Sequence, residues 1–196
     1  EHNVSEFADL WRAFHPDAEP TGWLMRAANV RHWIRFHSLP HSKRYAETKE
    51  EYSTLLGRQN ALASAVLGNG RACWMAQACW ITPEGVVELA DKYEMFRETR
   101  ELGLKYAFSF GVDEGDDAVA TWDVMAARVR WKQGGFDNAL LRIADERAAP
   151  TLWISAESGA VFAPYDGGVD MFLPSEAEAK ELRSKYADWL SSHPDG

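Results

Sequence analysis

The chain has 196 residues and a formal net charge of -9, with 46% hydrophobic and 26% charged residues, nine Trp and nine Phe. That length suits one sizeable core, and a composition this apolar and aromatic excludes general disorder. The acidic balance repels nucleic-acid phosphates and anionic lipid, so neither nucleic acid nor membrane is an expected partner and a basic protein is favoured. No apolar run approaches the roughly 20 residues that span a bilayer, so a soluble protein is expected.

Cys73 and Cys79 lie on one apolar stretch and are too few for a closed zinc site. They read as buried small hydrophobes in a reducing compartment. No signal-peptide pattern precedes the first apolar segment, so a cytoplasmic location is the expectation, while a first residue of Glu rather than Met leaves a trimmed start, and with it secretion, open.

In chain order, Val4, Phe7, Leu10, Trp11 and Phe14 share one helical face, and His15-Pro16-Asp17 ends that helix. A loop with Pro20 and Gly22 leads to VRHWIRFHSL at 30–39, which alternates as a strand. Ile34 and Phe36 lie on one face; Arg31, Trp33, Arg35 and His37 lie on the other. Ser42 is positioned to cap a long helix from Lys43 to Val66, striped by Tyr45, Tyr52, Leu55, Leu56, Gln59, Leu62, Ala63 and Val66 and stopped at Gly68-Asn69-Gly70. Ala72 to Ile81 is apolar on both faces, as a strand near the middle of a covered sheet should be, and Pro83 with Gly85 closes it.

Residues 86–102 carry helix formers with few apolar positions and read as a partly exposed helix ended by Gly103. Lys105 to Val112 and Val119 to Trp131 form a strand pair across the acidic DEGDD turn at 113–117. Residues 136–147 read as an amphipathic helix, 151–155 and 160–163 as a hairpin, and Ser175 with Glu178 as a capping box opening a terminal helix striped by Ala179, Leu182, Tyr186, Trp189 and Leu190. The sum is an α+β fold with a mainly antiparallel sheet and a C-terminal β-β-α-β-β-α segment, one domain over 1–196 whose one candidate division falls near 84–103.

Three constellations could carry chemistry. PYDGGVD at 164–170 gathers Tyr165, Asp166 and Asp170 around two glycines. It reads as a polar site for a cation or a basic side chain, or as a rigid turn in which Asp166 accepts the loop's own amides. IADER at 143–147 places Asp145, Glu146 and Arg147 at the end of a helix, with Arg147 suited to the negative end of the dipole and Asp145 within reach of Arg142; it reads as a solvated helix end or, alternatively, as an acid-base pair. RFHSLPHSKRYAE at 35–47 places Arg35, His37, Lys43 and Arg44 where a strand meets a helix N-terminus, a setting that suits phosphate or carboxylate.

No P-loop, GxGxxG, GxSxG, HExxH or CxxC pattern is present. No catalytic residue, cofactor or metal is therefore assigned.

The order RFHSLPHSKRYAE, FDNALLRIADERA, LWIS, FAPYDGGVDMFLPS and KYADWLS resembles a group of bacterial proteins of unknown function, in which a strand ending in Trp precedes a helix and a Tyr-Asp-Gly-Gly-x-Asp turn precedes a capped terminal helix. It is more loosely similar to a wider domain of unknown function whose turn reads Tyr-Asp-Asp-Arg-Gly-x-Asp. Against that wider group the chain departs at Gly167, where Asp would be usual, and at Gly168, where Arg would be. The resemblance implies no activity or site residue.

Three functional readings follow, the least specific being a structural module of a larger assembly, for which the nine Trp would supply an exposed aromatic patch. The first is a non-enzymatic protein of immunity or accessory type that binds a basic protein through its acidic surface. The second is a small anionic-ligand site, or an enzyme, built from the 35–44 corner and closed by the 165–170 turn, which requires the two segments to meet around a pocket.

Overall fold

The computed structural model describes residues 5–81, 94–115 and 118–191. Its centre is a seven-stranded antiparallel sheet in the order β1-β7-β6-β5-β2-β4-β3. The strands are β1 (Trp33–His37), β2 (Ala72–Ile81), β3 (Lys105–Gly115), β4 (Ala118–Arg130), β5 (Thr151–Ser155), β6 (Val161–Pro164) and β7 (Gly168–Phe172). The helices are α1 (Ser5–Phe14), α2 (Gly22–Ala27), α3 (Lys49–Leu67), α4 (Arg97–Glu101), α5 (Asp137–Ala144) and α6 (Glu176–Lys185). The fold is α+β, with every strand pair antiparallel.

Alternation along each strand divides the sheet into two covered faces. One face presents Ile34, Phe36, Cys73, Met75, Trp153, Phe162, Val169 and Met171 to α3, α5 and α6, around a cluster of Trp131, Phe136, Trp153 and Phe162 rings. The other presents Trp74, Ala76, Val124, Leu152, Ile154, Val161 and Ala163 to Phe7 and Trp11 of α1 and Met25 of α2. The strand β2 lies between β5 and β4 with both of its faces covered, which is why it has apolar residues on both sides.

The long helix begins later than its sequence suggests. Thr48, not Ser42, is the N-cap: its hydroxyl accepts from the Glu51 amide while the Glu51 carboxylate accepts from the Thr48 amide. Ser42 has φ 56 and sits at the end of a short 3-10 turn, Pro40–Ser42, so it cannot hold the extended backbone an N-cap needs. The paired capping box at Thr48 is the stronger signal, since it satisfies two backbone donors at once.

The C-terminal segment contains one further strand. After β5 and β6, the chain reverses through residues 165–167 and runs back as β7, which pairs with both β6 and β1. Gly168 is what permits this. A Cβ there would lie 2.1 Å from the Phe36 carbonyl oxygen, so no side chain fits where β7 crosses β1, and an Arg at that position is incompatible with the observed backbone.

The α5 helix ends at Ala144, earlier than residue 147, because Glu146 turns into the left-handed region at φ 55. The strand closure expected at Pro83 and Gly85, the helix expected over 86–93, and Asp116 and Asp117 of the acidic turn lie outside the described residues.

Candidate functional site

Alternation on β1 and β7 places Trp33, Arg35 and Asp170 on the sheet face toward α2, and the register sets Arg35 opposite Asp170. The Asp170 carboxylate is buried and fully engaged. Its Oδ1 accepts from Arg35 Nε and Trp33 Nε1, both at 2.9 Å, and its Oδ2 accepts from Arg35 Nη2 at 3.1 Å. Arg26 of α2 reaches the same oxygen at 3.4 Å as an ionic contact, yet its buried Nε makes no hydrogen bond.

Both guanidiniums lie over the Trp33 ring, at 5.6 and 5.4 Å, and Arg35 also lies 4.8 Å from the Tyr165 ring centroid. Burial pushes the Arg35 guanidinium toward its neutral form, but the hydrogen bond and charge of Asp170 more than offset this and hold it firmly protonated. Burial pushes the Tyr165 hydroxyl up to about 12, with Arg35 opposing.

Arg26, Arg35, Tyr165 and Asp170 line one part of a cleft of about 550 Å³ whose other walls include Trp23, Met95, Ile143, Pro150 and Ala163. Gly22 brings α2 close to the sheet; a Cβ there would stand 3.2 Å from that of Ala163 and 3.5 Å from Asp170 Oδ2. Met95 is held in the wall by its carbonyl, which accepts from the Ala149 amide at 3.0 Å. A buried network anchors the same segment: Glu98 accepts from Arg142 Nε at 2.6 Å and from Gln77 Nε2 at 3.2 Å, while Gln77 Oε1 accepts from the Thr99 hydroxyl at 2.7 Å.

At the rim, Asp166 and Glu146 share few donors. Arg44 donates to Asp166 and lies 3.7 Å from Glu146. The Tyr45 hydroxyl lies 2.7 Å from Glu146 and 3.2 Å from Asp166, and these hydrogen bonds, with burial, push that phenol up to about 12.

Of the residues singled out in the sequence, Arg35, Tyr165, Asp166 and Asp170 therefore meet around the cleft, and Arg44 stands behind its rim. His37 and Lys43 do not line it. Lys43 is taken up by Glu47 and Glu51, each at 2.7 Å, which raise its affinity for a proton. Burial holds the His37 imidazole below its usual value, partly opposed by a hydrogen bond with the Gly167 backbone. The α3 N-terminus is closed by its own capping box rather than open to an anion.

Other pairings differ from the sequence-level expectation. Asp166 reaches Arg44 and Tyr45 instead of the amides of its own loop. Arg142 turns inward to Glu98 and Glu94, leaving Asp145 to accept from Tyr52 at 3.2 Å. The sequence-level reading missed Trp23 and Arg26, because six residues of α2 are too short for a periodic stripe; the signal available was Thr21, whose hydroxyl caps the helix by accepting from the Leu24 amide. Cys73 is buried, which pushes its thiol up to about 11 and keeps it protonated.

Among the described residues, no three His, Cys, Asp or Glu side chains are grouped to hold a metal ion, and no helix is long and apolar enough to cross a membrane. No curated protein and no solved structure matches the chain significantly. The family model described as a domain of unknown function (DUF3885) matches residues 21–194, which takes in every residue that lines the cleft, and the chain belongs to that family.

Proposed function

We propose that this protein binds a small anionic molecule with an apolar body in the cleft between α2 and the β1–β7–β6 edge of the sheet. The observation that carries this reading is the pairing of two guanidiniums, Arg26 and Arg35, against the single carboxylate of Asp170, with the buried Arg26 Nε left without a hydrogen-bond partner. A buried donor without a partner costs about 1–3 kcal/mol, and a ligand carboxylate or phosphate would satisfy it and the surplus positive charge together. The apolar walls of Met95, Ile143, Pro150 and Ala163 suit a hydrocarbon group on the same molecule.

Calorimetric titration with N-acetyl-L-leucine and with its uncharged amide tests the reading. The acid should bind and the amide should not, and Arg26→Met should weaken the acid by about tenfold or more, as loss of a charged hydrogen bond implies. Equal binding of acid and amide, or no binding of either at millimolar concentration, overturns it. The alternative of a basic protein partner rests on the net charge of -9 and gains no support from the cleft.

A further inference from the structure

The charges around the cleft are not evenly mixed. Arg26 and Arg35 face one carboxylate, Asp170, leaving one positive charge in surplus at the β1–β7 end. At the rim the balance reverses: Asp166 and Glu146 face one guanidinium, Arg44, leaving one negative charge in surplus. Tyr45 cannot correct this, because its hydroxyl has one proton for two carboxylates. The two carboxylates line the cleft, whereas Arg44 and Tyr45 do not.

Glu146 carries a second mark. It is held at φ 55 in the turn that ends α5, a backbone conformation that costs a non-glycine residue of order 1 kcal/mol or more, and its side chain stands at the rim. Its side chain is 58% exposed, with Tyr45 and Arg44 on the side away from the cleft.

Building on the anion-binding reading above, we infer that the ligand is an amino-acid-type zwitterion, a free apolar amino acid or a short apolar peptide. Its carboxylate meets Arg26 and Arg35, its ammonium meets Glu146 and Asp166, and its side chain lies on Met95, Ile143 and Pro150. A cleft with a positive end, a negative end and apolar walls selects such a molecule over a simple anion, because either charge reversed or removed leaves one end uncompensated.

The test compares L-leucine and L-leucyl-L-leucine with N-acetyl-L-leucine, which lacks the ammonium, on the wild-type chain and on Glu146→Gln. One of the two zwitterions should bind about three- to fivefold more tightly than the acetylated acid, the advantage expected of a solvent-exposed ion pair. Whichever of them does so identifies the free amino acid or the peptide. On Glu146→Gln that advantage should vanish, the zwitterion binding no more tightly than N-acetyl-L-leucine measured on the same variant. If N-acetyl-L-leucine binds as well as both zwitterions, the zwitterion inference fails and the anion site stands; if none of the three binds, both fall. Glu146→Gly, which relieves the backbone strain, should retain or gain stability while losing the same advantage, and a loss of fold in that variant would mark Glu146 as structural and overturn its role here.

Discussion

Replacing Asp170 by Asn keeps the shape and the acceptor for Trp33 but removes the charge that compensates Arg35 and Arg26. Stripping one partner from a buried ion pair costs about 3–5 kcal/mol, chiefly because the remaining charge is left uncompensated. Arg35 is 17% and Arg26 35% exposed, so water offsets part of the loss and the lower end, about 3 kcal/mol, is expected here. For a chain of this size that is a fall in Tm of about 6 to 12 °C. Urea denaturation followed by Trp fluorescence gives the free energy directly. Arg35→Met in the Asp170→Asn background should cost much less than in the wild type, since the charge it deletes is no longer compensated. A loss below about 1 kcal/mol for Asp170→Asn, or losses that simply add in the double variant, would refute the reasoning.

Gly168→Ala should destabilise the chain by about 3 kcal/mol or more, since its Cβ meets the Phe36 carbonyl oxygen at 2.1 Å, while Gly167→Ala, whose nearest neighbour is the Tyr165 ring at 3.2 Å, should cost under about 1 kcal/mol; chemical denaturation of the pair distinguishes a close backbone crossing from a generic turn. Thr48→Ala should cost about 1 kcal/mol and Ser42→Ala little, and the reverse order would restore Ser42 as the helix cap. Burial holds the His15 and His37 imidazoles below their usual value, so the unfolded chain takes up protons first on acidification. Their contribution is intact above about pH 6.5 and declines as pH falls below it, measured as a falling urea midpoint that His15→Gln makes shallower; a midpoint that rises on acidification would contradict this sign.

The fold was largely legible because its elements carry strong local patterns. The β2 strand appears at its sequence-read bounds, Ala72–Ile81, because a strand covered on both faces is apolar throughout. Ser175 caps α6 as its spacing implies, its hydroxyl accepting from the Glu178 amide at 3.3 Å. What escaped was set by long-range geometry. Nothing local distinguishes Gly168 as the first residue of a strand, since its requirement comes from Phe36, and the two residues adjoin only through the β1–β7 register.

The site was half legible for the same reason. Strand alternation put Arg35 on a polar face with Trp33, and the PYDGGVD turn marked Tyr165, Asp166 and Asp170, but their pairing depends on register. Lys43 looked available because its neighbours in sequence are basic; Glu47 and Glu51, four and eight residues on, claim it once the chain folds. Arg26 and Glu146 belong to a six-residue helix and a helix-terminating turn, where periodicity carries no information.

The most direct test of the cleft is the Arg26 Nε–H resonance in a nitrogen–proton correlation spectrum, because that donor is buried and without a hydrogen bond in the free protein. On addition of N-acetyl-L-leucine it should shift and exchange more slowly with water, while the uncharged amide leaves it in place. A resonance that stays put when the acid binds, or that moves equally with both compounds, would contradict the assignment of this cleft as an anion-binding site.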